Sequence, residues 1–498
     1  MSKVLVIGID ALDSLTLSQL ENDLPTFSKL REESRDIQFD GVFPPDSPTS
    51  WGSIYTGLNP ARHGILLFVD ILSRTSEMVN KDVDNTTIRG KTFWDLASGI
   101  GKRVCVLPHL VGYPPWPVNG VMVGRSGITK KVRVCPPSVS DDYNISEFRW
   151  DIAHFPGKRD KDSYIYLAKQ QLERETKLAM RLLNELEWDL FFVSFGELDI
   201  IQYSYWNSYD ENDPAYRTNN RYKNVIPEFY QLYDEIIARF LAATDTDTST
   251  IVVSDHGIGS RPVNLVNLNE FLREMGMITI QNGKKNVTRT VSPSAQLKLS
   301  IMKAVDKYEL GNFAEKALRV FPKGKDWIVS SNPVDWKNSI AYLTDQSGIK
   351  NYPYGGIRVN TENVNEGDYE QVRDSIIKAI LKITDPETGE RVAKWAIKRE
   401  ELYEGAYVER YPDILFELED TYCAGMMTPA SRFGKSIMHN ISPGYHKQHH
   451  AVFLISNVQE RNISKKEATL MDVAPTILDL LGIDWRRYDF DGRSIFGK

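Results

Sequence analysis

The feature that most constrains the fold of this chain of 498 residues is a series of short apolar runs bounded by turn residues. Such runs predict strands buried on both faces, as in mainly parallel sheets covered by helices. Stretches with helical periodicity lie between them, and this alternation predicts an α/β protein with helices on both faces of the sheet. The predicted strands are residues 4–7, 104–107, 120–123, 190–195, 251–254 and 452–456, and the predicted helices are residues 165–186, about 226–241 and 369–381.

Composition excludes several classes of protein. The net charge of −7 gives no electrostatic argument for a nucleic-acid polymer as a partner, since such binding usually needs a basic face. Cys105, Cys135 and Cys423 have no paired spacing, which argues against a disulfide framework and a structural zinc site. No signal peptide and no apolar stretch near twenty residues is evident, so we expect a cytoplasmic protein without a membrane span.

Basic and apolar residues are interleaved between about residues 282 and 327, in contrast to the flanking sequence. This pattern predicts amphipathic helices inserted into the core, and we expect residues 277–335 to form a helical cap. The catalytic core would then consist of residues 1–276 and 336–498. A solvated helical hairpin is the favoured interpretation, and an interfacial helix on anionic lipid is the alternative.

Acidic residues follow three of the predicted strands. Asp10, Asp199 and Asp255 each come shortly after an apolar run. Ligands of open parallel sheets bind beyond the carboxyl ends of the strands, so we expect these acids to converge on one edge. His256 and His446, each beside a glycine or a turn, add imidazole nitrogens. Such ligands can hold two metals about 4 Å apart for phosphoryl transfer.

Further segments carry a family resemblance. Residues 44–64, PPDSPTSWGSIYTGLNPARHG, resemble the nucleophile segment of the type I phosphodiesterase/nucleotide pyrophosphatase branch of the alkaline phosphatase superfamily. The segments at 199–206, at 254–269 and at 468–493 resemble its second and third metal motifs and its closing helix and turn. The resemblance covers most of the chain and implies a three-layer alkaline-phosphatase-like fold.

The resemblance also implies roles for the metal ligands. Asp10, Asp255 and His256 would hold the metal that activates the nucleophile, and Asp199 and His446 would hold the other. We therefore expect two divalent metals, Zn²⁺ or Mn²⁺.

Counting within the nucleophile segment places the nucleophile at Ser47, which would also contact a metal, with Thr49 as the fallback. A hydroxyl needs metal coordination to act as a nucleophile at neutral pH. We expect a helix over residues 48–55, whose amides and positive dipole end would hold phosphate oxygens. Pro48, Thr49 and Ser50 are the expected substrate-binding residues.

Tyr203 departs from the family pattern, which has a metal-binding histidine four residues after the second aspartate. A phenol, with a resting pKa of about 10, is a reluctant ligand. If Tyr203 does not bind, the second metal site is expected to be weak, to hold a harder metal such as Mn²⁺, or to be empty. Among the other histidines, we expect His63 to be structural and His449 and His450 to lie in a solvated loop.

The sequence thus predicts a metal-dependent phosphoesterase that acts on a small phosphorylated substrate, with a phosphodiester favoured, through a covalent phosphoserine at Ser47. A sulfatase would show Pro and Arg at fixed positions after the nucleophile, and neither is in place here. A non-catalytic or single-metal relative that binds a phosphorylated ligand is the alternative, because of Tyr203. The oligomeric state is not predicted.

Overall fold

The central sheet of the protein has seven strands. The structure is a computed structural model, and it describes residues 2–34, 37–66, 83–127, 129–145, 161–280, 334–344, 351–436, 438–458, 463–465 and 467–496. The five inner strands run parallel, and the two edge strands are antiparallel to their neighbours. All six predicted runs are strands of this sheet. Across the sheet the order is β17 (Phe453–Ser456), β7 (Thr248–Val253), β1 (Lys3–Ile9), β6 (Leu190–Phe195), β3 (Val104–Leu107), β4 (Gly120–Arg125) and β5 (Val132–Cys135).

Helices cover both faces of the central sheet. The described α-helices are α1 (Ser14–Gln19), α2 (Pro25–Glu33), α3 (Ser47–Thr56), α4 (Pro60–His63), α5 (Phe93–Gly99), α6 (Val139–Asp142), α7 (Lys161–Glu185), α8 (Glu197–Tyr209), α9 (Val225–Ala242), α10 (Leu268–Glu274), α11 (Tyr369–Ile380), α12 (Arg399–Leu402), α13 (Met438–Ile441) and α14 (Val473–Leu480). The three predicted helices correspond to α7, α9 and α11.

Alternation along β1 explains the three layers, because successive side chains of a strand point to opposite faces. Leu5 and Ile7 join a core formed with α2, α7, α8 and α9. Val4 and Val6 join a second core formed with α3, α5 and α14. Both cores are buried, which confirms the predicted three-layer fold.

Close packing brings α3 against the end of β1. A Cβ atom on Gly8 would lie 2.6 Å from the ring of Trp51 and 2.8 Å from Cβ of Ser194. Only glycine permits this approach. It allows α3 to begin beside the carboxyl end of β1, where Asp10 follows.

A second sheet of four antiparallel strands has a core of its own, to which α10 and α11 contribute. The sequence periodicity did not predict this sheet. Its order is β10 (Ala341–Leu343), β11 (Tyr354–Val359), β13 (Ile414–Leu418) and β12 (Ala393–Lys398). There are three smaller sheets among the described residues. The first has three strands in the order β14 (Tyr422–Gly425), β9 (Asn264–Asn267) and β15 (Phe433–Lys435). The other two have two strands each, β16 (Gly444–Lys447) with β8 (Gly257–Ser260) and β18 (Glu467–Thr469) with β2 (Gln38–Asp40).

Most of the predicted cap, residues 277–335, lies outside the described residues, which end at 280 and resume at 334. The two ends meet, since Ile280 and Val334 form an antiparallel bridge. The helical cap therefore stays a prediction. Within the described chain, every helix is too short or too polar to span a membrane.

Candidate active site

The first group of candidate ligands is held by two adjacent parallel strands. Asp10 directly follows β1, and Asp255 and His256 lie between β7 and β8. Because β1 and β7 pair in register, their carboxyl ends coincide. The backbone N–H of Ala11 donates to Oδ1 of Asp255 over 3.2 Å, which links the two turns.

These three side chains offer ligand atoms that lie within 4.8 Å of one another. Nε2 of His256 is 3.4 Å from Oδ1 of Asp10 and 3.3 Å from Oδ2 of Asp255. Nδ1 of His256 lies 2.9 Å from the carbonyl oxygen of Gly257, which can only accept a hydrogen bond. In the neutral imidazole, the lone pair of Nε2 therefore faces the two carboxylates.

Electrostatics favour a cation at this position. Burial lowers the pKa of His256 to about 4, so the ring is neutral at pH 7. Burial and the charge of Asp10 raise the pKa of Asp255 well above its ordinary value. Oδ2 of Asp255 is buried and makes no hydrogen bond within the described residues. A divalent cation would neutralise this set, and carboxylate oxygens with imidazole nitrogen suit Zn²⁺ or Mn²⁺.

Ser47 lies beside the first group as the first residue of α3, so the helix begins one residue before the predicted start. Its Oγ is 3.4 Å from Oδ1 of Asp10 and 3.2 Å from Nε2 of His256. Pro48, Thr49 and Ser50 complete the first turn of the helix and are all buried. Oγ of Ser50 makes no hydrogen bond within the described chain.

The second group consists of Asp199, His256 and His446, whose ligand atoms also lie within 4.8 Å of one another. Asp199 is the third residue of α8, and His446 lies on β16 opposite Ile258 of β8. Nε2 of His446 is 3.3 Å from Oδ1 of Asp199. The rings of His256 and His446 are 3.7 Å apart between centroids, and His256 belongs to both groups.

His109 contributes to the site and was missed by the sequence analysis. Its Nε2 lies 2.8 Å from Oδ2 of Asp10, and its Nδ1 lies 2.8 Å from Oγ of Ser194. The Nε2–H group therefore donates to Asp10, which leaves Oδ1 of that carboxylate directed at Ser47 and His256. Burial opposes ionisation of Asp10, but this hydrogen bond and nearby imidazoles outweigh it and lower its pKa to about 2. The signal was available, since His109 follows the predicted strand at 104–107.

The family model for type I phosphodiesterase/nucleotide pyrophosphatase matches residues 4–428. The chain belongs to this family. The match contains the whole candidate site except His446, which lies beyond its end. It confirms the family that the sequence motifs indicated.

Solved structures with the same fold include phosphonoacetate hydrolase from Sinorhizobium meliloti in complex with phosphonoformate. The TM-score is 0.54 and the sequence identity is 13%, and the alignment covers 97% of this chain and 96% of the hydrolase. A murine ectonucleotide pyrophosphatase/phosphodiesterase 5, an inactive variant in complex with AMP, has a TM-score of 0.50 and 12% identity over 99% and 97%. No curated protein sequence matches the chain. At these identities the structural likeness establishes the alkaline-phosphatase-like fold.

Tyr203 lies beside the second group of candidate metal ligands in this member of the phosphodiesterase family. Its ring contacts that of His446 edge to face, with centroids 5.0 Å apart. Its hydroxyl lies 3.0 Å from the hydroxyl of Tyr352. Burial and then the neighbouring Tyr352 and Asp199 raise the pKa of Tyr203 well above its ordinary value, which disfavours the phenolate that a metal would require.

The remaining histidines named by the sequence analysis lie outside both candidate groups. The backbone N–H of Ile65 donates to Nδ1 of His63 over 3.0 Å. The proton of the neutral His63 ring is therefore on Nε2, which donates to Oγ of Ser53, also over 3.0 Å. His63 is thus satisfied by structural hydrogen bonds. His449 pairs with Asp40, and its side chain is 60% exposed.

Proposed function

We propose that this chain is a metal-dependent phosphodiesterase that transfers the phosphoryl group of a small substrate to Ser47 and then to water. The position of the Ser47 hydroxyl carries the proposal. It lies 3.4 Å from Asp10 and 3.2 Å from His256, at the start of a ten-residue helix. A nucleophile, a candidate metal group and a helix N-terminus therefore meet at one point.

The reaction has two steps. In the first, a bond forms between Ser47 Oγ and phosphorus while the bond from phosphorus to the leaving oxygen breaks. The serine proton passes to solvent, and the departing alkoxide takes a proton from water. In the second, water attacks phosphorus, restores the Ser47 hydroxyl and releases a phosphomonoester. The sum is one diester and one water converted to one monoester and one alcohol.

Asp10, Asp255 and His256 would hold one metal, and Asp199 and His446 the other. When bound, divalent metals lower the pKa of a coordinated hydroxyl and stabilise charge on the attacking and leaving oxygens. The chain's own groups orient the phosphate. Pro48 has no N–H, and the backbone amide of Ser50 donates to the carbonyl oxygen of Asp46, so the amide of Ser47 and the buried hydroxyl of Ser50 are the candidate donors.

A diester suits this site better than a monoester. Pro48 and Thr49 follow Ser47, so no arginine adjoins the nucleophile to hold a monoester dianion with two parallel hydrogen bonds. The preference stays a proposal, as do the zinc or manganese identity of the metals and the natural substrate.

A single-metal or non-catalytic phosphate-binding protein is the second candidate, which Tyr203 favours. The test is hydrolysis of bis-p-nitrophenyl phosphate by protein stripped with a chelator and then reconstituted with Zn²⁺ or Mn²⁺. We expect activity that requires metal and a phosphoserine at Ser47 in quenched reactions, detected by mass spectrometry. Binding of inorganic phosphate without turnover under every metal condition would favour the second candidate.

A further inference from the structure

A buried ion pair between Asp213 and His439, with a hydrogen bond from Ser260, joins three segments that carry or adjoin ligands of the second group. Asp213 follows α8, which bears Asp199. Ser260 ends β8, which begins directly after His256. His439 lies on α13, which leads into β16 and His446.

The geometry of this cluster specifies a charged imidazole. Nε2 of His439 lies 2.9 Å from Oδ1 of Asp213, and Nδ1 lies 2.7 Å from the carbonyl oxygen of Arg261. Both ring nitrogens thus face oxygen acceptors, and only the imidazolium donates to both. Ser260 Oγ donates to the other carboxylate oxygen of Asp213 over 2.5 Å.

Burial and charge agree with this protonation state. The side chains of His439 and Asp213 are 3% and 0% exposed. Burial opposes the charge on His439, but the hydrogen bond and charge of Asp213 outweigh it and raise its pKa above the ordinary value. Burial opposes ionisation of Asp213 as well, but hydrogen bonds from His439 and Ser260 lower its pKa.

The cluster is linked to the metal ligands through the start of β16. The backbone N–H of Arg261 donates to the carbonyl oxygen of Pro443 over 2.7 Å, and its guanidinium donates to that of Gly444 over 2.9 Å. A Cβ atom on Gly444 would lie 2.7 Å from the carbonyl oxygen of Gln202, so β16 directly contacts α8. A shift of α13 would therefore change the position of His446 relative to Asp199.

We propose that Asp213, Ser260 and His439 form a positioning clamp that sets the distance between Asp199 and His446, and hence the affinity of the second metal site. The inference rests on the proposed metal-dependent function. Asp213, Ser260 and His439 lie outside both candidate ligand groups. They act by holding α8, β8 and β16 together.

The test is a zinc titration of the metal-free, full-length protein in competition with a chromophoric chelator. In His439→Gln we expect the affinity of the second site to fall about tenfold, at the lower end of losses seen for outer-shell changes. The affinity of the first site should stay within about twofold of the parent. Ser260→Ala removes a single donor to Asp213 and should give a smaller loss in the same direction.

His449→Gln is the matched control, because it also breaks a histidine–aspartate pair, but on the surface, where His449 and Asp40 are 60% and 55% exposed. Both affinities should remain at parental values in this variant. Ser260→Ala keeps the test decisive if His439→Gln does not fold.

The pH dependence separates the clamp from general loosening. Among the described residues, the charged groups that act on His439 are Asp213 and Arg261. Because the folded pKa of His439 is raised, the imidazolium is present at low pH and is lost as pH rises through that pKa. The ratio of second-site affinities, parent over His439→Gln, should therefore be largest at the acid end and decline as pH rises.

Two results of the zinc titration at a single pH would overturn the clamp alone: an unchanged affinity of the second site in folded His439→Gln, or an equal loss at both sites. A constant ratio across the pH range would also contradict it. A parent protein that binds no divalent metal would refute the proposed function itself, and the clamp with it.

Discussion

The two halves of the candidate metal centre are built differently. Asp10 and Asp255 lie just beyond the carboxyl ends of adjacent parallel strands, so the register of the sheet holds them together. Asp199 and His446 come from a helix and a four-residue strand that are far apart in sequence, and their separation depends on contacts between α8, β8 and β16. Sheet register gives the first half a rigid frame, whereas the second half depends on its surroundings.

The aspartates of the first half are also more deeply buried than the aspartate of the second half. The side chains of Asp10 and Asp255 are 4% and 0% exposed, whereas that of Asp199 is 14% exposed. A carboxylate removed from water is costly unless it is paired or coordinates a metal. The first half therefore gains more from a bound cation, and we expect it to hold its metal more tightly.

The largest expected effect is that of Ser47→Ala, which removes the nucleophile while keeping both ligand groups. Hydrolysis of bis-p-nitrophenyl phosphate should fall by more than about 10³-fold if the covalent route dominates. Metal content, measured by atomic absorption, should stay at the parental value. Thr49→Ala is the control and should be mild. An inactive Thr49→Ala beside an active Ser47→Ala would move the nucleophile to Thr49.

Asp255→Asn tests the first half directly. Loss of this ligand should abolish activity and remove the rise in melting temperature that metal produces, because ligand bound only to the native state stabilises it by about 2.7 kcal/mol at 100 times Kd. Differential scanning calorimetry with and without metal measures the loss. Asp199→Asn should retain part of the rise. Identical behaviour of the two variants would contradict the difference between the halves.

His109→Gln should weaken the first half without removing a ligand. The hydrogen bond to Oδ2 of Asp10 orients that carboxylate, and loss of such a partner lowers metal affinity by about 10–100-fold. A two-site zinc titration measures the change, and the second site provides the internal control. If His109→Gln lowers both affinities alike, its role is in general stability.

Tyr203→His should have the smallest effect and should strengthen the second half. A neutral imidazole one helical turn after Asp199 needs little deprotonation at pH 7 and suits zinc. We expect higher zinc occupancy at the second site, measured as bound zinc per chain. Tyr203→Phe is the matched control and should leave occupancy unchanged. A fall in Tyr203→Phe would show that the phenol is a ligand.

The difference between the two halves of the metal centre also explains how much of the site the sequence could predict. Asp10 and Asp255 follow apolar runs that predict buried strands, and parallel strands end at one edge, so their meeting could be inferred without any knowledge of long-range contacts. His446 could be placed only through the family resemblance, because nothing local shows that β16 pairs with β8. The cluster of Asp213, Ser260 and His439 has no sequence motif and depends on contacts between distant segments.

His109 and the second sheet were missed for different reasons. His109 lies at the predicted edge but resembles any histidine in a loop, and its role depends on Ser194 and Asp10, each distant in sequence. The strands of the second sheet have three to six residues and mixed patterns, as in β10 and β12. Their pairing is antiparallel and non-local, which sequence periodicity does not specify.

The most direct test of the difference between the halves is anomalous diffraction at the zinc edge from crystals of the parent protein with near-stoichiometric zinc. We predict a fully occupied peak among Asp10, Asp255 and His256, and a weaker one between Asp199 and His446, with the hydroxyl of Tyr203 still directed at Tyr352. Two peaks of equal, full occupancy, with the Tyr203 oxygen at ligand distance from the second, would contradict the account.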